Sequence, residues 1–392
     1  IIINSFTMSF NRPTTMGSVA PADTVLPADA VDTISSVSWS PVANHLAAAS
    51  WDGKVRIYDV APGPSARAAA LLTMDSPVLS CDWAKDGTMV LAGGADKRSH
   101  LLHLATGQQA AIGSHDAPIR SVRFLDIAAL GASSPAHLFA TGSWDKTVKY
   151  WDLRQPERPL ATLACADRVY AMDTKSSLLV IATAERHIHL VDLRNPPVFL
   201  RTTQSPLKYQ TRAVSVFPDG RGWATASIEG RCGINAADDK IDGKSTNFTF
   251  RCHRSVPDLK KTTKVYTVND VQFHPVHATT FVTAGSDGTF HFWDRMSHTR
   301  YKAYEPPAAA LPAVATTTVN NWTTNGIAKG TGNSDSARAA ITTTAFNRDG
   351  SLFAYAVGYD WSKGHAANSP EYPNRLVLHS VTDEDASPRG KK

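Results

Sequence analysis

The 392-residue chain is predicted to be all-β, a seven-bladed propeller, on three observations. An apolar alternating run, then Ser-x-Asp-Gly or a close variant, then a run closing on Trp-Asp or Tyr-Asp recurs at a period of roughly 40 to 60 residues. It is plainest in LAAASWDGKVRIYDV, LFATGSWDKTVKYWDL and FVTAGSDGTFHFWDR. Asp-Gly steps at Asp52, Asp86, Asp219, Asp287 and Asp349 supply hairpin turns. No long segment carries helical periodicity. Each copy therefore reads as strand, tight turn, strand, and copies of this kind bury their faces by stacking around a common axis.

The blade cores follow in order. The first spans Ile34 to Val60, the second Val78 to Leu104, and the third Ile119 to Leu153, with a small-residue insert around Gly131 to Ala136. The fourth covers Val169 to Leu193, the fifth Arg212 to Asn235, and the sixth Val268 to Asp294. The last resumes at Ile341 and finishes near Arg375 to Thr382. Residues 1–30, rich in Ser, Thr, Pro and Ala, are expected to be an extended or disordered arm, and 31–385 the propeller. Within it, 306–340 is too polar to make a core and is expected to be a flexible insert. Residues 386–392 make a basic tail.

With 42% hydrophobic and 19% charged residues, the composition is that of a globular protein. A formal charge of +5 permits a polyanionic partner without demanding one. Cys81, Cys165, Cys232 and Cys252 lie far apart, with no Cys-x-x-Cys pair for zinc or redox work, and are expected to be reduced, buried thiols. No stretch approaches the ~18 uninterrupted apolar residues of a membrane helix. The N-terminal IIINSFTMSF lacks a basic leader, so no secretory signal is expected.

Enzymatic signatures are weak. In the third blade His115, Ser143, Asp145 and Trp151 have the spacing of a hydrogen-bonded bracket, because a buried indole N–H and a buried carboxylate each require a partner. His115 and Asp145 are therefore assigned to structure rather than catalysis. The segment DDKIDGKS, Asp238 to Ser245, ends like a phosphate loop but has Asp238 where the first glycine belongs. His187 and His189 alternate on a strand, which suits surface or bracket better than metal. No enzyme activity, cofactor or metal is expected.

Recognition is expected on the two faces. Turns between second and third strands share the upper face and carry Trp51, Asp96, Lys97, Trp144, Glu185, Arg186, Glu229, Arg231 and Asp287. Tryptophan at an exposed turn is costly unless covered, and Trp and Arg are typical binding hot spots. An acidic peptide would suit this surface through Arg231. NFTFRCHR (247–254) and WDRMSHTRYK (293–302) are expected on the lower face or rim, interleaving Phe248, Phe250 and Trp293 with Arg251, Arg254, Arg295, His298, Arg300 and Lys302. Cations beside aromatics suit single-stranded nucleic acid, although composition alone favours an ordinary solvated rim over buried rings.

Several longer strings point to one family. SIEGR (227–231), NFTFRCHRS (247–255), FHPVH (273–277), GSDG (285–288) and YDWSKGH (359–365) resemble the mRNA export factor of the nuclear pore, a seven-bladed WD-repeat family also called the poly(A) RNA export protein. GSWDKT (142–147), SHDAPIR (114–120), ATAER (182–186) and the tail PRGKK are similar to it as well. The mitotic checkpoint propeller, which binds GLEBS motifs of checkpoint kinases, shares SIEGR and a CHR string, but YDWSKGH, HDAPIR and NFTF favour the export factor. WDLR (151–154) and VDLR (191–194) resemble the box of a cullin-RING ubiquitin ligase substrate receptor.

The export-factor resemblance implies a non-enzymatic adaptor of the nucleus and nuclear pore that shuttles to the cytoplasm. It implies a GLEBS-bearing FG nucleoporin held on Trp51, Lys97, Trp144, Glu229 and Arg231, with a monomeric propeller forming one half of a heterodimer. It also implies single-stranded RNA or messenger ribonucleoprotein contact near Phe250, Trp293, Asp294, Arg295, His298 and Arg300. His298 stands where the family favours a firm cation, and the 306–340 insert departs from the family. No membrane partner is implied.

Overall fold

Seven four-stranded antiparallel sheets account for nearly all the regular structure. The computed structural model describes residues 23–387 except 28, 61–65, 126–136, 196, 239–246, 258–260, 308–338 and 369–371. The segments around Gly131 to Ala136, from 239 to Ser245 and from 308 to 338, together with the tail from Pro388, lie outside the described residues.

Each blade is a meander. Blade three runs Ile119–Phe124, Leu138–Ser143, Thr147–Asp152 and Ala161–Ala164 from axis to rim. The inner strands adjoin in ring order and the seventh returns against the first, so the fold is a closed propeller. The outermost strands went unread in the sequence because they carry little apolar alternation. That of blade one, ARAAALLT, is mostly solvent-facing.

Burial follows the blades. Seven buried clusters exist, and each joins two neighbouring blades; one gathers Ala47, Val55, Ile57 and Leu72 of blade one with Val78, Trp83 and Val90 of blade two. A blade is a thin sheet with two apolar faces, so its neighbours supply the only place to bury them.

Ring closure comes from the segment expected to be an arm. Thr24–Val25 pairs antiparallel with Arg375–Ser380 as the outer strand of blade seven, and Leu26 is buried. The expected insert likewise ends before Ala340, which opens the inner strand Ala340–Phe346. At the other end Asp383–Ala386 forms a helical turn whose Asp385 and Ala386 are buried, so the tail begins later than residue 386.

Asp23 and Asp385 converge on His379. His379 Nδ1 lies 2.8 Å from Asp23 Oδ1, Tyr355 donates to Asp23 Oδ2 at 2.6 Å, and Tyr304 donates to Asp385. Lys302 Nζ is 3.1 Å from Asp385 and 3.1 Å from Glu384. The rim lysine of the expected RNA surface is thus held by the closure.

The bracket recurs in blades three and six with one change of residue. His115 Nδ1 is 2.7 Å from Asp145, His115 Nε2 is 2.7 Å from Thr141 Oγ1, and Trp151 Nε1 donates to that hydroxyl at 2.8 Å. Thr141, not Ser143, joins His to Trp; Ser143 Oγ instead donates to Ala117 and Pro118 carbonyls at 2.9 Å. In blade six His253, Asp287, Thr283 and Trp293 repeat the arrangement, with Trp293 Nε1 donating to Thr283 Oγ1 at 2.9 Å.

Candidate functional site

Strand direction decides which turns share a face. The first and third strands of each blade descend and the second and fourth rise, so second-to-third turns and blade-to-blade connections both lie on the upper face. Trp51, Lys97, Trp144, Glu229 and Arg231 occupy such turns in blades one, two, three and five. The structure therefore puts all five on one side of the disc.

Their environments differ. Trp144 is exposed at 37%. Trp51 is half-buried, because Trp361 from the blade-seven loop stacks on it with ring centroids 4.4 Å apart. Lys97 is exposed and takes φ 69 in its tight turn. Asp96 and Asp287, on the same turns, are committed to His100 and His253.

The most charged part lies over blade five. Arg231 Nε is 3.6 Å from Glu229, and Glu229 also accepts the Lys208 backbone N–H at 3.0 Å. The outer strand Phe248–Arg251 rises, so Arg251 ends beside Arg231, its ladder partner. Three residues on, Arg254 donates to the carbonyls of Glu229 at 2.7 Å and Gly230 at 3.3 Å. Burial, and then the Arg231 and Arg251 charges beside it, lower the Arg254 pKa. Arg251 and Arg254 therefore belong to the upper face, where the sequence reading had placed them below. Three guanidiniums gather here with one carboxylate, and Ile228 in the same turn is exposed at 41%. The blade-four turn adds Glu185 and Arg186, and Arg186 is tied to the Leu207 carbonyl at 3.0 Å.

Known proteins extend this picture. The family "WD domain, G-beta repeat" matches residues 24–59, 70–101, 107–152 and 247–294. The chain is similar to the mRNA export factor GLE2 of Chaetomium thermophilum, 43% identical over 91% of this chain and 90% of that protein. The chain belongs to the WD40-repeat mRNA export factor family. It is also similar to the poly(A)+ RNA export protein of Schizosaccharomyces pombe, 44% identical over 92% of this chain and 91% of that protein. The WD40 repeat protein poxJ of Penicillium oxalicum is 48% identical over 91% of this chain and 93% of its own length.

For this export-factor chain the lower rim differs from its sequence reading. Phe250 is fully buried, between Trp293 at 4.8 Å and Phe281 at 5.9 Å. Trp293, 3% exposed, is the bracket tryptophan of blade six. Neither ring offers a face to a base, because both fill the interface between blades five and six. Asp294 is buried and accepts from Met296 N, Ser297 N and Ser297 Oγ, shaping the turn. Arg295 is buried over the Phe217 ring, 3.6 Å from Asp219.

His298 and Arg300 remain half-buried at the lower edge. His298 lies against Phe248 at 4.0 Å, and burial lowers its pKa against the pull of Asp294, so it is neutral at pH 7. The signal for this correction was in the sequence: Trp293-Asp294 is the same mark as Trp151-Asp152.

The WDLR and VDLR arginines have a local explanation. Arg154 and Arg194 each fold back on the aspartate two residues earlier, with their closest contacts to Asp152 and Asp192 at 2.6 Å. Among the described residues no His, Cys, Asp and Glu group could hold a metal ion, and no helix is long and apolar enough to cross a membrane. His189 is buried on Thr202, at 2.9 Å.

Proposed function

We propose that the chain is a non-enzymatic adaptor in mRNA export whose upper face binds the acidic GLEBS segment of an FG nucleoporin, forming a heterodimer at the nuclear pore. The observation that carries this reading is the gathering of Arg231, Arg251 and Arg254 with Glu229 and exposed Ile228 over blade five, with Trp144 exposed on the same face. Guanidiniums in excess of carboxylate call for an acidic partner, and flanking apolar side chains supply the contact area that charge alone lacks. The relatives named as mRNA export factors support the role, and the nucleus, with shuttling to the cytoplasm, follows as the place of action.

Calorimetry with an acidic GLEBS peptide tests the proposal. Wild type binds, and Arg231→Glu loses that binding at unchanged thermal stability; retained affinity in a folded variant sinks the reading. Binding to single-stranded RNA belongs to the same proposal. At the lower edge it rests on Arg300 alone among the six expected residues, because the aromatic contributors are internal. Arg300→Glu should weaken oligoribonucleotide binding and flatten its salt dependence.

A further inference from the structure

A cavity of about 430 Å³ runs along the axis, lined by inner strands from every blade. That volume is in the range of small-molecule sites. All seven inner strands break register close to their upper end, in blade three between Ile119 and Ser121 and in blade five between Thr211 and Ala213. The skipped residue is a bulge, which re-aims a side chain. Around the ring the skipped positions are Ser35, Leu79, Arg120, Tyr170, Arg212, Asn269 and Thr342. Two are arginine, on blades three and five with one blade between them, and none is a carboxylate.

A third arginine shows what is missing. Arg123, one turn of the pleat below, lies 3.4 Å from Asp173, and that carboxylate outweighs the effect of burial and raises its pKa. Among the described residues Arg120 donates to the Leu79 carbonyl at 3.2 Å and Arg212 to the Asp360 carbonyl at 3.4 Å, and neither forms an ion pair. Burial, then the Arg212 and Arg123 charges, push the Arg120 guanidinium down to about 10. Burial also lowers Arg212, against the pull of Asp360 and Asp270. The carboxylates in the ring are otherwise engaged: Asp82 accepts Phe124 N at 2.8 Å, Asp173 accepts Val216 N at 2.7 Å, and Asp270 accepts Thr344 N at 2.7 Å. Two half-buried like charges thus line the cavity with no ion pair to either among the described residues, a repulsion that a bound anion would relieve.

We infer that the upper end of the axial cavity binds a small phosphate-bearing anion, held between the guanidiniums of Arg120 and Arg212. Planar guanidiniums present paired N–H groups that match phosphate oxygens. The site lies inside the ring and is independent of the peptide face described above.

Thermal unfolding of the full chain in pyrophosphate, against sodium chloride of matched ionic strength, reads the site directly. Pyrophosphate should raise the wild-type Tm by several degrees, with calorimetry showing one site per chain. Arg120→Gln and Arg212→Gln should each weaken that binding at least tenfold, and in chloride each should melt at or above the wild-type temperature because a repulsion is relieved. Should the Gln variants not fold, Arg120→Lys and Arg212→Lys keep the charge and lose the paired donors. They should weaken binding several-fold, and equal binding by them counts against the site. Equal Tm in pyrophosphate and chloride for wild type, or an undiminished pyrophosphate response in the variants, overturns the inference.

Discussion

The upper face over blade five and the lower rim of blade six carry the same kinds of residue and use them in opposite ways. Each interleaves arginine with large apolar side chains in a short stretch. Above, Arg231, Arg251 and Ile228 sit on turns and strand ends and reach solvent, whereas below Phe250, Trp293 and Arg295 turn inward. The difference teaches that a mixed cation and aromatic string becomes a surface only where the backbone leaves the sheet. Within a strand, alternate side chains are taken by the neighbouring blade.

Substitutions can break or sharpen that contrast. Phe250→Ala should cost about 3 to 5 kcal/mol of stability, as for a fully buried aromatic, measured by chemical denaturation. A loss below about 0.5 kcal/mol would place Phe250 on a surface after all and restore it as a base-stacking residue. Arg231→Glu should do the reverse, leaving stability within about 0.5 kcal/mol while removing at least about 2 kcal/mol of peptide affinity. If both quantities fall together, the upper trio is structural. Trp144→Ala is a milder version, expected to weaken the peptide by about 1 kcal/mol without moving Tm, whereas Trp51→Ala should also lower Tm because it strips the stack on Trp361.

The smallest effect concerns the closure on which both regions rest. Burial alone would lower the His379 pKa, but its bonds to Asp23 and Asp385 outweigh burial and raise it. A raised folded pKa stabilises fully below the unfolded value of about 6.5 and is lost as pH rises through the folded value. The Tm advantage of wild type over His379→Gln should therefore shrink as pH rises above about 6.5. An advantage that grows with pH would mean His379 is neutral in the fold. Asp385, whose bonds from His379, Tyr304 and Thr382 outweigh burial, lies well below the usual carboxylate range, so its stabilisation is lost only in acid.

Three strands of each blade were legible because alternation and the Asp-Gly turns are local signals, as in Leu138–Ser143 and Thr147–Asp152. The outer strands were not, since ALLT and QAAIGS at the rim bury few side chains and so carry little alternation. Thr24–Val25 escaped for another reason: two residues pairing with a strand more than three hundred positions away leave no periodic trace. At the upper face the sequence identified the turns bearing Trp144 and Arg231. It did not place Arg251 and Arg254 beside them, because that depends on which way the fourth strand runs. Trp361 also went unnoticed, since its partner Trp51 belongs to a different blade.

Sequence alone determined the blade number, the turns and the family, because each is written in residues adjacent along the chain. Tertiary structure decided which aromatics are core, which arginines gather, how the ring closes and that two arginines line the axial cavity together. Those are matters of what a side chain meets across a blade interface or around a ring, and such neighbours are far apart in the sequence.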